Sequence, residues 1–279
     1  MPSELTGSLP SAVPESRLFV ELDGDPDGPP MLMIHGALSW NAQWDLNRAA
    51  LRERHRLIMV EQMGHGRSDR PDDVEAYGPA SVLGELELIR ETLGVDTWWV
   101  CGQSLGGAIS LRYTLDHQDR VRGLVITNSR AAFGIARAGV SRGTKGAAAA
   151  SDGGAGGQPS APWPKPATTR DLPIHPANAT RLDEAVKARL IEGADALPID
   201  VFSRVGSHRD EWDSSGRLDE VRVPMLVVNG RWEKAFQPSL ELARAGIGHL
   251  QVVDLEGGHA INIERAAEFD EAVLAFARD

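Results

Sequence analysis

The stretch GQSLGG, residues 102–107, places a serine between glycines that lie two positions away on either side. A serine hydroxyl can attack a carbonyl carbon once a base removes its proton, so Ser104 is a candidate nucleophile. A Gly-x-Ser-x-Gly pattern is informative only between a strand and a helix, where a sharp turn exposes the serine. The apolar run TWWVC precedes Ser104, and apolar residues at helical spacing follow it.

A second copy of the pattern, GVSRG at residues 139–143, lacks this context. It follows FGIARA instead of a buried strand, and it leads into a stretch rich in glycine, alanine and serine. We therefore do not expect Ser141 to be a nucleophile.

Candidate partners for Ser104 follow other apolar runs. MLVV, residues 225–228, leads to Glu233, and LQVV, residues 250–253, leads to His259. A histidine can accept the serine proton, and a carboxylate can hold the imidazole in the required tautomer. Because the carboxyl ends of parallel strands meet at one edge of a sheet, we expect the three side chains to lie close together.

The elements that must position these residues follow a regular order along the chain. Continuous apolar runs of four or five residues indicate strands buried on both faces, and segments with helical periodicity separate several of them. This order predicts an α/β fold with a mostly parallel central sheet and helices on both faces. The stretch LFVELDG near residue 20 is expected to add an antiparallel edge strand. The apolar runs span residues 31–34, 57–60, 97–101, 124–127, 225–228 and 250–253.

The gap between Thr127 and Met225 is much longer than the other gaps and indicates an insertion. We interpret it as a partly helical and partly flexible lid over the edge of the sheet, with a disordered surface loop as the alternative. Thr180 followed by Asp183 predicts a helix start, and the residues after it have one apolar face. The domain prediction is a first core part at 1–129, a lid at 130–220 with a low-complexity segment at 142–169, and a second core part at 221–279.

The composition argues against several classes of function. The formal net charge is −11 and no basic patch is present, so a nucleic-acid partner is not expected. The single cysteine, Cys101, excludes an intrachain disulfide, and no Cys/His cluster has the spacing of a zinc site. The first residues lack the features of a signal peptide, and no apolar run is long enough to span a membrane. We expect a cytoplasmic protein with no membrane partner, no metal and no cofactor, and the sequence leaves the oligomeric state open.

In these motifs the chain resembles the α/β-hydrolase fold family, in particular its cap-bearing esterases, lactonases and carbon–carbon bond hydrolases. The resemblance runs from about residue 18 to the end and rests on MIHGALSWNAQW, MGHGRSDRP, GQSLGG, PMLVVNGRWEKAFQP and EGGHAINIE, in that order. It implies that Ser104 is the nucleophile and His259 the base. It also implies that the backbone N–H groups of Ala37 and Leu105 stabilise the oxyanion.

The chain departs from the family pattern at two acidic positions. The family usually has aspartate both at the acid position and before the GHG motif, whereas this chain has Glu233 and Glu61. We predict that Glu233 orients His259, with Glu61 as the alternative, although Glu61 is expected to anchor its own turn. Asn128 follows the preceding strand, where some relatives carry the acid, and it has no charge with which to replace it.

Five large side chains follow strand ends and are candidates for an apolar substrate pocket, although such side chains near a core are core residues more often than not. His35 and His65 are expected to shape turns and to take no part in the chemistry. The five candidates are Trp40, Trp44, Met63, Trp232 and Phe236.

Together these residues predict a serine hydrolase of the carboxylesterase type that cleaves a small carboxylic ester or lactone through an acyl-enzyme. Two alternatives use the same triad: a carbon–carbon bond hydrolase of ring-cleavage products and a cofactor-free perhydrolase. Haloalkane dehalogenases and epoxide hydrolases are disfavoured, because the resemblance implies an aspartate nucleophile for them where this chain has Ser104. A binding protein with little turnover is the alternative from another class.

Overall fold

The computed structural model describes residues 11–134 and 166–278. The described residues form a seven-stranded sheet in the order β1-β3-β2-β4-β5-β6-β7. Only β1 runs antiparallel to its neighbour, β3, and every other pair is parallel. The predicted mostly parallel sheet with an antiparallel edge strand is therefore confirmed. The strands are β1 Val20–Asp23, β2 Pro30–Ile34, β3 Arg56–Val60, β4 Trp98–Gly102, β5 Val121–Thr127, β6 Met225–Gly230 and β7 Leu250–Leu255.

The central strands are largely apolar because both faces of the sheet are covered. Every residue of β4 and of β6 is buried. Side chains alternate between the faces, so that Leu32 and Val100 belong to one apolar cluster while Met33 and Cys101 belong to another. Burial on both faces fixes the register, since a slip of one residue would exchange the two sets.

Helices cover both faces, as the sequence predicts. The apolar faces of α2, α3 and α7 contribute to one cluster, and α1 and α9 contribute to the other. The α-helices of the described residues are α1 Arg48–Leu51, α2 Pro79–Thr92, α3 Leu105–Asp116, α4 Arg130–Phe133, α5 Glu184–Asp195, α6 Ile199–Ser207, α7 Gln237–Gly246, α8 Ile261–Glu264 and α9 Ala266–Phe276. Short 3-10 helices span Asn41–Trp44, Val74–Tyr77, Gln118–Arg120, Thr169–Asp171, Pro176–Asn178, Arg209–Trp212 and Ser215–Glu220.

The apolar periodicity at the C-terminus suggests one helix, but the structure has two. Arg265 has φ −139° and separates α8 from α9. Its guanidinium Nε donates to the Glu256 carbonyl oxygen over 2.9 Å, which ties the break to the loop after β7. As a result α8 lies along the segment after β2, whereas α9 packs on the sheet.

The insertion lies between β5 and β6, and its described part contains α4, α5 and α6. The apolar face of α5 packs through Leu190 against Ala42 and Ile263, which follow β2 and β7. The helix therefore covers the edge of the sheet where these two strands end. The domain boundaries remain a prediction. Ser141 and residues 142–165 of the low-complexity segment lie outside the described residues.

The helix start predicted at Thr180 is displaced. Asp183 is the N-cap of α5, and its side chain accepts a hydrogen bond of 2.8 Å from the Ala185 N–H. The carboxylate two residues before that N–H satisfies one of the free donors of the first turn. Among the described residues, no helix is long and apolar enough to cross a bilayer.

Candidate active site

Ser104 sits at the turn between β4 and α3 with φ 52° and ψ −114°. A non-glycine residue in this region of φ is strained, and such strain persists only where the surroundings enforce it. The Ser104 carbonyl oxygen accepts from Ser129 Oγ over 2.5 Å and from the Ala108 N–H over 3.2 Å. The backbone is thus fixed on both sides of the turn, and the side chain faces the carboxyl edge of the sheet.

The glycines around Ser104 allow α3 to approach the sheet closely. A Cβ at Gly102 would overlap the Gly106 carbonyl oxygen, and a Cβ at Gly106 would overlap the carbonyl oxygen of Ile34 in β2. A Cβ at Gly107 would lie 2.9 Å from the Ile126 side chain in β5. Any larger residue would push the helix away from three neighbouring strands.

His259 contacts both other members of the predicted triad. Its Nε2 lies 3.0 Å from Ser104 Oγ, and its Nδ1 lies 2.9 Å from Glu233 Oε2. A proton on Nδ1 is donated to the carboxylate, which leaves the lone pair of Nε2 to accept the serine proton. The His259 side chain is 49% exposed, so a substrate or a water molecule can reach it.

Asn128, at the end of β5, holds the acid. Its Nδ2 donates to Glu233 Oε2 over 2.7 Å and to the Gly230 carbonyl oxygen over 3.1 Å, while its Oδ1 accepts from the Gly230 N–H over 2.8 Å. Asn128 has no charge, and the sequence alone did not indicate that it contacts the acid. Its place one residue beyond a strand paired with β6 was the signal that could have identified it.

The pKa of Glu233 lies below its ordinary value. Burial alone would raise this pKa, but the hydrogen bond and the charge of His259 and the hydrogen bond from Asn128 outweigh it. The carboxylate therefore stays ionised at neutral pH, as a group that orients an imidazole must.

Glu61 lies in its own turn, as expected. Its carboxylate is fully buried and accepts from the Arg67 backbone N–H over 2.5 Å and from the Arg67 guanidinium over 2.7 Å. A Cβ at Gly66 would overlap this carboxylate. Its hydrogen-bonding capacity is thus directed at the turn after β3, whereas His259 contacts Glu233.

The segment after β2 carries the first predicted oxyanion donor, Ala37. Its neighbour Leu38 has φ 54° and donates its N–H to His65 Nε2 over 3.3 Å. His35 Nε2 accepts from the Gln62 N–H over 3.0 Å. Hydrogen bonds from the loop after β3 therefore fix the backbone on both sides of Ala37.

Both histidines are neutral. Burial lowers the pKa of His35 to about 3 and the pKa of His65 to about 4, and a positive charge on His65 would lower that of His35 further. As neutral rings they each accept one N–H, which suits the structural role predicted for them.

Leu105, the second predicted donor, is the first residue of α3, where helix geometry supplies no acceptor for its N–H. Within the two described parts of the chain, neither this N–H nor that of Ala37 donates to a protein acceptor. Both groups are free to bind a negatively charged oxygen, and the helix dipole favours one at Leu105.

The sequence alone did not indicate a role for Gln103. Its Nε2 donates to the His259 carbonyl oxygen over 3.2 Å, and its N–H donates to the Ile34 carbonyl oxygen over 3.0 Å. A Cβ at Gly36 would overlap its side-chain oxygen. Gln103 thus connects the serine turn to the histidine loop, and its place inside GQSLGG was the available signal.

The five pocket candidates have different positions. Met63 lines a small cleft between the core and α6, together with Leu105, Ile109, Val205 and Trp212. Trp44 and Phe236 are fully buried in the core, where they pack near Phe269 and Phe133 respectively. These two are core side chains, which is the alternative that the sequence left open.

Trp40 and Trp232 contact charged groups. Trp40 Nε1 donates to the Arg189 carbonyl oxygen of α5 over 2.9 Å, and the Arg189 guanidinium lies over its ring at 4.7 Å. Trp40 therefore joins the segment after β2 to the insertion. Trp232 is 40% exposed and donates to Glu256 Oε2 over 2.7 Å, beside the loop that carries His259.

Comparisons with known proteins agree with the fold described above. The family model described as the alpha/beta hydrolase fold matches residues 29–156. The enol-lactonase from Burkholderia xenovorans LB400 superimposes with a TM-score of 0.75 at 21% identity, covering 95% of this chain and 98% of that chain. A putative aryl esterase from Burkholderia cenocepacia gives a TM-score of 0.74 at 21% identity, covering 94% of each chain. The chain has the α/β-hydrolase fold.

Relatives among curated proteins match over shorter stretches. The proline iminopeptidase of Neisseria gonorrhoeae is 32% identical over 110 residues, 39% of this chain and 36% of that protein. Haloalkane dehalogenase 2 of Mycobacterium tuberculosis (strain ATCC 25618 / H37Rv) is 36% identical over 104 residues, 37% of this chain and 35% of that protein. The match thus spans about a third of the length of these relatives. Their activities differ, so these matches leave both the reaction and the substrate open.

Proposed function

We propose that this protein is a serine hydrolase that cleaves a small carboxylic ester or lactone through an acyl-enzyme. The observation that carries the proposal is the pair of contacts made by His259, 3.0 Å to Ser104 Oγ and 2.9 Å to Glu233 Oε2. This is the arrangement by which a histidine activates a serine hydroxyl.

In the first half of the reaction, His259 takes the Ser104 proton as Oγ attacks the substrate carbonyl. The N–H groups of Ala37 and Leu105 stabilise the negative charge on the carbonyl oxygen. His259 then gives its proton to the leaving alcohol oxygen, and the acyl group stays on Ser104. In a lactone, the leaving oxygen remains attached to the acyl chain.

In the second half, His259 takes a proton from water, whose oxygen attacks the acyl carbon. Collapse of the resulting intermediate breaks the bond to Oγ, and His259 returns the proton to Ser104. Glu233 keeps the imidazole in the same tautomer and stabilises its positive form throughout. The chemistry needs only residues of this chain and water.

The cleft beside Leu105 favours a short apolar acyl group. Its lining is apolar apart from Gln62 and the tyrosine hydroxyl of Tyr77, and its enclosed free volume is only about 20 Å³. We therefore expect esters with short acyl groups to react faster than esters with long ones.

A fluorophosphonate probe followed by mass spectrometry tests the nucleophile. Ser104 should be labelled, and Ser104→Ala should abolish labelling, while Ser141→Ala in the second copy of the pattern provides the matched control and should be labelled normally. A wild-type protein that the probe does not modify would overturn the proposal.

A substrate panel then separates the related activities. It contains p-nitrophenyl esters of increasing acyl length, several lactones and proline p-nitroanilide, and it also assays peroxide-dependent halogenation in acetate. Ester or lactone turnover well above the others supports the proposal. Preferential cleavage of the anilide would indicate a peptidase, and halogenation as the main activity would indicate a perhydrolase.

A further inference from the structure

Two polar side chains, Gln43 and Asn262, pair in the interior between two segments that the proposed mechanism uses. Asn262 Nδ2 donates to the Gln43 carbonyl oxygen over 2.9 Å, and Gln43 Nε2 donates to Asn262 Oδ1 over 3.0 Å. The first residue is 5% exposed and the second is 0% exposed. We call these two residues the Gln43–Asn262 pair.

The pair is linked to both catalytic segments. Ser39 Oγ, two residues after Ala37, donates to Gln43 Oε1 over 2.8 Å. Asn262 follows His259 by three residues, at the start of α8. A short chain of hydrogen bonds therefore joins the segment with the oxyanion donor to the segment with the base, which lie more than two hundred positions apart in the sequence.

Asn47 and Asp270 extend this network of hydrogen bonds beyond Asn262. Asn47 Nδ2 donates to the Asn262 carbonyl oxygen over 2.9 Å and to Asp270 Oδ1 over 2.8 Å. Asn262 Nδ2 also donates to Asn47 Oδ1 over 3.2 Å, and this bond together with those to Gln43 fixes the orientation of the Asn262 side-chain amide.

The surroundings make the pair rigid. Ala42 and Ile263, the neighbours of Gln43 and Asn262, are buried in the apolar cluster under Leu190 of α5. Water is thereby kept away, and hydrogen bonds in such a place are strong when complete and costly when broken. An apolar pair of the same size would also fill the space, but it would not fix the direction of the backbone at Ser39.

We propose that the Gln43–Asn262 pair positions the Ala37 N–H relative to His259, so that oxyanion stabilisation and proton transfer act on the same carbonyl group. Neither residue touches the reacting atoms, so both are positioning residues. The inference rests on the proposed function. It explains why several amide side chains are buried at a seam that apolar residues could fill.

The test replaces Gln43 by methionine, which keeps the length of the side chain and the backbone carbonyl but removes both side-chain hydrogen bonds. We expect kcat for the preferred ester to fall about 10- to 100-fold with KM changed less than about threefold, because a misplaced oxyanion donor acts mainly on the transition state. A trifluoromethyl ketone with the same acyl group forms a tetrahedral adduct with Ser104, and its affinity should fall by a similar factor.

Arg90→Met is the matched control. Arg90 is also buried, at the C-terminal end of α2, and it loses hydrogen bonds to Glu87 and the Val95 carbonyl oxygen when it becomes methionine. It lies beside the segment that leads into β4, at the edge opposite the serine. We expect it to lower the melting temperature without lowering kcat or the affinity for the ketone.

A milder variant tests the proposal even if Gln43→Met does not fold. Ser39→Ala removes only the hydroxyl that links the pair to the oxyanion segment, and it should lower kcat several-fold with an unchanged KM. The proposal is wrong if Ser39→Ala and Gln43→Met keep wild-type kcat, or if Arg90→Met loses as much kcat as Gln43→Met.

Fluorophosphonate labelling of the wild-type protein distinguishes a failure of the positioning role from a failure of the proposed function. A labelled and active wild type whose Gln43→Met variant keeps its kcat overturns only the positioning role. An unlabelled and inactive wild type overturns the proposed function and this inference with it.

Discussion

Glu233 has one methylene more than the aspartate usual at this position, and Asn128 fixes the longer side chain by donating to the oxygen that faces His259. The direction of the Glu233 carboxylate therefore depends on a side chain that follows another strand, β5. A carboxylate held by two donors keeps its charge and its direction, and both are needed to orient the imidazole.

Separate substitutions of the two glutamates distinguish their roles. Glu233→Gln should lower kcat/KM by about 10³- to 10⁴-fold for the preferred ester, because an amide stabilises the imidazolium poorly and can favour the wrong tautomer. Glu61→Gln weakens the bond to Arg67 and should lower the melting temperature while retaining most of the activity. Full activity in Glu233→Gln together with an inactive, folded Glu61→Gln protein would reverse the assignment of the acid.

A pair of substitutions moves the carboxylate from position 233 to position 128, at the end of β5. Asn128 Nδ2 lies 2.7 Å from the carboxylate oxygen that contacts His259, so Asn128→Asp places a second carboxylate near the imidazole. In the background of Glu233→Gln, this change should restore kcat about tenfold or more. The single variant Asn128→Asp is the control, and it should be less active than wild type because two carboxylates repel each other. Without any recovery in the double variant, the site does not accept an acid from β5.

At the scale of elements, α5 joins the insertion to the core through a close contact. A Cβ at Gly193 would overlap the ring of Trp40, whose Nε1 bonds to the Arg189 carbonyl oxygen on the same helix. Glycine at this position allows the helix to lie directly on the segment that carries Ala37.

Gly193→Ala should therefore destabilise the protein by about 1 to 3 kcal/mol, since the added methyl has no space beside Trp40. Gly206→Ala in α6 is the matched control. Nothing lies within 4 Å of a Cβ there, so it should be neutral or stabilising by about 0.5 to 1 kcal/mol. Urea denaturation measures both, and equal effects of the two substitutions would contradict the packing of α5 on Trp40.

The fold was predictable where one short-range rule determines the element. Apolar runs buried on both faces indicated the strands, and Gly94, with φ 65°, marks the end of α2. The break at Arg265 was not predictable, because it depends on a contact with the Glu256 carbonyl oxygen in a different loop. The helix start moved from Thr180 to Asp183 because both residues can cap a helix and only the packing of α5 selects one.

The site was likewise predictable only where a local pattern determines the position of a residue. Ser104, Glu233 and His259 follow strand ends and could be expected at one edge of the sheet. Asn128, Gln103 and the Gln43–Asn262 pair act through hydrogen bonds to distant segments, and no local pattern reveals such partners. Trp44 and Phe236 were candidates for the pocket but lie in the core, because a large apolar residue after a strand can point to either.

At the scale of the whole molecule, Asp270 makes stability depend on pH. Burial raises its pKa to about 7, although the hydrogen bond from Asn47 acts in the opposite direction. A carboxyl whose pKa is raised in the folded state binds its proton more tightly there than in the unfolded chain. Its contribution is therefore complete below about pH 4 and is lost as the pH rises to and through 7. Cys101 is a buried neighbour, and burial and the Asp270 charge raise the pKa of its thiol.

Asp270→Asn removes this titration and keeps an oxygen that accepts from Asn47. The free energy of unfolding of the variant relative to wild type should rise between pH 5 and pH 8 by about 1 to 3 kcal/mol. Urea denaturation of both proteins across this range provides the measurement, and pH effects of other groups cancel in the difference. A difference that stays constant with pH would show that Asp270 does not titrate in this range.

The insertion divides the proposed machinery into two stretches of chain. Ser104 and both oxyanion donors precede it, Glu233 and His259 follow it, and the stretches meet where β5 pairs with β6. A polypeptide cut once between residues 134 and 166 would give one fragment with a nucleophile but no base and another with a base but no nucleophile. With the proposed activity, ester hydrolysis would then report the reassociation of the two fragments, so the chain could serve as a two-part sensor.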